Sequence, residues 1–102
     1  LYQLTVLYNH PEDTAAFDKH YREVHAPLAK KAPGLDSYTL NWCEDGPDGS
    51  TAPYHLIAVL SWASKDAMLA ALGSPEFQAA GADLPNFAAA GAQLIFGKTE
   101  DA

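Results

Sequence analysis

Apolar and polar positions alternate along Tyr2 to Tyr8, with Leu4, Val6 and Tyr8 on one side and Gln3, Thr5 and Leu7 on the other, which predicts a strand. His10-Pro11-Glu12-Asp13 reads as a turn feeding a helix. Asp13 is placed to cap it, and the acidic pair suits the positive end of a helix dipole. Phe17, Tyr21, Val24 and Leu28 then recur at helical spacing and are expected to face a sheet. Lys30-Lys31 and Pro33-Gly34 mark the end of that helix. Pro27 interrupts the pattern. It is expected to break the helical hydrogen-bond ladder and bias Ala26 away from helical dihedrals, leaving His25 at an irregular backbone joint.

Leu35 to Cys43 reads as a second strand, with Tyr38, Leu40 and Trp42 on one face, and the acidic, turn-rich Glu44–Ser50 as a loop after it. Tyr54 to Trp62 is a third strand. One of its faces carries Leu56, Ala58, Leu60 and Trp62, and the other His55, Ile57, Val59 and Ser61. Both are largely apolar, so this strand is expected to be central and covered on both sides. Ser64 caps a helix running to Gly73, and Ser74-Pro75 restarts it. An alanine- and glycine-rich stretch containing Pro85-Asn86-Phe87 follows, and Gln93 to Lys98 is the last strand. The order βαββαβ is an α+β, ferredoxin-like pattern within one domain spanning residues 1–102. Helices would cover one sheet face. The other is too apolar to stay wet, and pairing two such sheets face to face would bury it, so a homodimer is expected.

A chain of 102 residues suffices for one small domain, and 48% hydrophobic residues is ordinary for a globular fold. The formal net charge is −7 and only six residues are Lys or Arg, scattered apart from Lys30-Lys31. That argues against nucleic acid and against an anionic membrane as partners. Cys43 is alone, so no internal disulfide framework or multi-cysteine metal site can form, and a reducing, cytoplasmic setting fits. The chain begins on Leu1 rather than Met, which points to residues ahead of it. No long apolar run marks a membrane span.

His25 is the leading chemical candidate, as a general acid or base or, alternatively, as a structural staple bonding a carbonyl freed by Pro27. Tyr38 is a candidate to hold a carbonyl or enolate oxygen, against the alternative of an aromatic with its hydroxyl at the rim. His55 and Ser61 share a strand face and are candidate substrate contacts, but no acid partner can be placed for them from sequence to make a triad. Tyr21 and Trp62 are candidate substrate contacts, with core packing as the alternative for each. His20 reads as a solvated helix side chain. Metal is not expected, because His20 and His25 are five apart rather than four and no carboxylate completes a set. No haem or nucleotide fingerprint is present, so no cofactor is expected.

The run from Phe17 through His25-Ala26-Pro27-Leu28 to Pro33-Gly34-Leu35 resembles the signature of the EthD family, as does the Tyr54–Trp62 strand followed by Ser74-Pro75-Glu76-Phe77. The family is named for its association with ethyl tert-butyl ether degradation. The resemblance implies membership of the dimeric α/β-barrel superfamily, whose subunits pair sheet to sheet and hold a pocket between helices and sheet. It implies a histidine and a tyrosine at positions His25 and Tyr38, as in methylmuconolactone isomerases of the superfamily. Those isomerases carry a cysteine where this chain has Ser61 and a histidine near Ala52, so the same isomerisation does not carry over. The expected activity is a cofactor-free isomerase- or monooxygenase-like reaction on a hydrophobic, oxygen-bearing small molecule. The alternative is a non-catalytic protein that binds a small apolar molecule for a degradation pathway.

Overall fold

The computed structural model describes all 102 residues. Its strands are β1 (Tyr2–Tyr8), β2 (Ser37–Trp42), β3 (Leu56–Trp62) and β4 (Ala92–Lys98). Its helices are α1 (Thr14–His20), α2 (Ala26–Ala29), α3 (Lys65–Leu72) and α4 (Pro75–Phe87), with a π-helical turn at Tyr21–His25 joining α1 to α2. The antiparallel sheet has the order β2-β3-β1-β4, the ferredoxin-like arrangement the element order implied. Directly paired residues share a face, so Leu4 with Leu60, Val6 with Ala58 and Tyr8 with Leu56 form the floor beneath the helices. β3 is central as expected. The caps are also where the sequence puts them: Asp13, Ser64 and Ser74 accept from the backbone N–H groups of Ala16, Ala67 and Phe77.

The first helix departs from expectation in an instructive way. Ala26 is fully helical (φ −59°, ψ −43°), so Pro27 does not break the helix. Pro27 has no N–H to return, and its ring crowds the carbonyl four residues back. The chain accommodates this with a widened turn just ahead, in which the Ala26 N–H donates to the Tyr21 carbonyl five residues earlier. The extra residue rotates the buried face. Phe17 and Tyr21 stay inside, then His25, Ala26 and Ala29 follow, while Val24 turns out to solvent and Leu28 is half-buried. The irregular joint at His25 is real, but it is a π turn and not a break.

Helix α4 also runs further than a proline-containing stretch suggests, through Pro85 to Phe87. After α2, Pro33-Gly34 turns the chain with Gly34 at φ +70°, a conformation that glycine adopts without strain. The Pro33 carbonyl accepts the indole N–H of Trp62 at 3.1 Å, tying this turn to the end of β3. No helix is long and apolar enough to cross a membrane.

Candidate active site

The site is assembled where the π turn faces α4. Asp83, on α4, is almost fully buried and takes three side-chain donors. His25 Nδ1 lies 3.1 Å from Oδ2, His20 Nε2 lies 2.9 and 3.0 Å from the two oxygens, and the Asn86 amide donates to Oδ1 at 3.0 Å. Burial pushes the Asp83 carboxyl upward, but the donors from Asn86, His20 and His25 outweigh it and hold it below the ordinary carboxylate value. An ionised carboxylate accepts and cannot donate, so both imidazoles present N–H to it.

This fixes the tautomer of His25. With its proton on Nδ1, Nε2 carries the lone pair. Nε2 has no partner in the protein, and no fully buried side-chain nitrogen or oxygen is left unpaired, so Nε2 reaches open space. That space is a cavity of about 80 Å³ between the helices and the sheet, lined by His25, Tyr8, Tyr21, Tyr38 and apolar side chains from Leu4 to Leu94. Burial holds the His25 imidazole below its ordinary value of 6.5, and the Asp83 hydrogen bond, which pulls the other way, does not cancel this. His25 is therefore a neutral imidazole with its basic nitrogen facing an apolar chamber.

Three tyrosines complete the chamber. The hydroxyls of Tyr21 and Tyr38 lie 2.5 Å apart. Burial raises Tyr8, Tyr21 and Tyr38 above the ordinary phenol value, so all three remain neutral donors. Phe87 packs its ring 4.7 Å from the His25 ring and 5.2 Å from that of His20. It also lines a second, outer cleft of about 510 Å³, together with His20 and Asn86.

Of the residues singled out in the sequence, His25, Tyr21 and Tyr38 come together here. His55, Ser61 and Trp62 do not line the chamber. His55 sits just ahead of β3, and its Nε2 lies 2.7 Å from Asp18 of α1. Ser61 pairs with Gln3 and Ser37 on the sheet face away from the helices, where its hydroxyl bonds that of Ser37. His55 and Ser61 are thus not partners. Trp62 is fully buried at the far end of β3 and holds the Pro33 turn. Ser61→Ala is expected to cost about 1 kcal/mol through the lost hydroxyl pair. Thermal melts should show a fall of about 4–8 °C, and unchanged melting would contradict it.

The sequence reading missed Asp83 and Asn86. A signal was available: Phe77, Ala80, Leu84 and Phe87 form a helical apolar stripe, and Asp83 lies inside it. A carboxylate on an apolar face requires partners. His20, read as solvated, is one of them. No group of three His, Cys, Asp or Glu side chains is arranged to hold a metal ion.

Residues 9–91 match the model of the EthD domain. The chain is 39% identical over 100 residues to an uncharacterised 11.0 kDa protein in the thcB–thcC intergenic region of Rhodococcus erythropolis, covering 98% of this chain and 96% of that one. A crystal structure of an ethyl tert-butyl ether d (EthD) family protein from Bacillus halodurans superposes with a TM-score of 0.90 at 31% identity, over 97% of this chain and 98% of the other. At the level of fold alone, SnoaB, a cofactor-independent oxygenase from Streptomyces nogalater, matches with a TM-score of 0.66 at 18% identity, over 99% and 93% of the two chains.

Proposed function

The chain belongs to the EthD family, and from that premise we propose that it is a small enzyme in which His25 removes a proton from a hydrophobic, oxygen-bearing small molecule. The observation that carries this reading is the polarised His25: Nδ1 anchored on Asp83, Nε2 free in a chamber with three neutral phenols. A carbonyl or phenol oxygen near the Tyr21–Tyr38 pair would receive a hydrogen bond that strengthens as negative charge builds on it. The chemistry needs no cofactor at this step, as in an isomerase or a cofactor-free oxygenase. The fold shared with SnoaB is compatible with either.

The chamber is small. It admits the reacting end of a substrate, with the remainder lying toward Leu94, which lines the cavity and is 46% exposed on β4. Ile95 and Phe96 are exposed on the same strand, and Leu7, Ile57 and Val59 stand on the helix-free face. A second copy pairing sheet to sheet would cover that face, so the protein is proposed to work as a homodimer.

The test is His25→Gln on a substrate released from the purified protein or drawn from a panel of cyclic ketones, lactones and phenols. Turnover is expected to fall by roughly 10²- to 10⁴-fold. Because burial lowers His25 and raises the tyrosines, kcat/KM is expected to be flat through neutral and mildly alkaline pH and to fall on the acid side, as His25 takes up a proton below its ordinary range. Full turnover by His25→Gln would remove the residue from the chemistry. Ligand binding without turnover in either protein would favour a carrier, in which His25 and Tyr38 only orient the molecule.

A further inference from the structure

Asp83 accepts from two imidazoles that open into different spaces. His25 faces the inner chamber, whereas His20, 27% exposed, helps to line the outer cleft. We propose that His20 and His25 titrate as one coupled pair on the single charge of Asp83, so that His20, from the outer cleft, sets how readily His25 takes a proton in the inner chamber. The functional consequence rests on the reading of His25 as the base.

The geometry carries the argument. Each imidazole points its proton-bearing nitrogen at the same carboxylate, and each keeps its other nitrogen free to receive a proton. One carboxylate neutralises one imidazolium. When His20 is protonated it draws on the Asp83 charge, and a second positive charge on His25 then finds its counter-ion already engaged. The surroundings supply no substitute. From α4 the only carboxylate reaching the pair is Asp83, α2 carries no titratable side chain, and Tyr8 and Tyr38 face His25 as neutral phenols. Within the π turn, Tyr21 is likewise neutral, Glu23 is exposed, and the Arg22 guanidinium lies 4.3 Å over the Trp42 ring. Glu12 and Asp13 border the outer cleft and so act on the His20 side alone.

A positive charge on His20 therefore keeps His25 deprotonated to a lower pH than Asp83 alone would allow. His20 is a positioning residue for the base.

The test follows both rings by side-chain NMR across pH in the intact protein and in His20→Gln and His25→Gln, where an amide N–H replaces the imidazole donor. In His20→Gln the His25 midpoint is expected to rise by roughly one pH unit. The two variants share one interaction energy, and the His20 midpoint in His25→Gln is expected to rise only to the extent that His25 already carries a proton when His20 titrates. With an identified substrate, the acid limb of kcat/KM in His20→Gln moves up by the same interval. Unmoved midpoints in both variants would overturn the coupling. Midpoints that move while His25→Gln retains full turnover would keep the coupling and discard His25 as the base.

Discussion

Asp83→Asn is expected to lower turnover by roughly 10²- to 10⁴-fold in a protein that still folds, the range seen when the acid orienting a catalytic histidine is replaced by its amide. The direction follows from which oxygen serves whom. His20 lies almost midway between the two oxygens, at 2.9 and 3.0 Å, while Oδ1 takes the Asn86 amide N–H, which can only donate, so the amide oxygen is best placed there. The amide nitrogen then occupies the Oδ2 position opposite His25 Nδ1. Two N–H groups cannot face each other, so His25 is expected to move its proton to Nε2 and lose the lone pair that faces the chamber. Side-chain ¹⁵N shifts would show the switched tautomer without any substrate. An unchanged tautomer with unchanged turnover would leave Asp83 a structural role only.

The largest loss of stability is expected from Trp62→Ala. Only 20 of the 102 residues are buried, and Trp62, with no exposed surface, is the largest of the fully buried side chains. Its truncation removes the packing against Phe77 and the hydrogen bond that ties the Pro33-Gly34 turn to β3. Large-to-small changes of this kind cost about 3–5 kcal/mol, against a total stability of about 5–15 kcal/mol for an ordinary domain. Calorimetry should show a fall in Tm of roughly 15 °C or more. Trp62→Phe keeps most of the volume and loses the hydrogen bond, so it should cost only about 1–2 kcal/mol. A drop below 5 °C for the alanine variant would mean that the turn and the sheet end are held by something else.

Much of the fold was legible because strands and caps are local. Alternation in Tyr2–Tyr8 and a serine ahead of each later helix are read within a few residues, and the structure places them accordingly. The site was legible only in part, for two physical reasons. A helical repeat assumes a constant 3.6 residues per turn, and the π turn violates it at the residues that matter, sending Val24 out and His25 in. The same assumption made His20 and His25, five apart, look mismatched, although a wider turn brings both to one carboxylate. The second reason is distance along the chain. Asp83 lies 58 residues from His25, and no local pattern pairs them. His55 departs from the alternation of β3 for a smaller reason: it stands just before the regular run that starts at Leu56, and its ring turns to the helix side, to Asp18 of α1.

The π turn also bears on how such a site arises and is lost. It differs from ordinary helix by one residue, and the helix on either side and the register of all four strands are regular. Deleting one residue between Tyr21 and His25 would turn α1 by about 100° relative to α2, so that Phe17 and His25 could no longer both face the core. The two imidazoles would no longer share a carboxylate. The length of this one turn, more than the helices it joins, sets whether an imidazole faces the chamber.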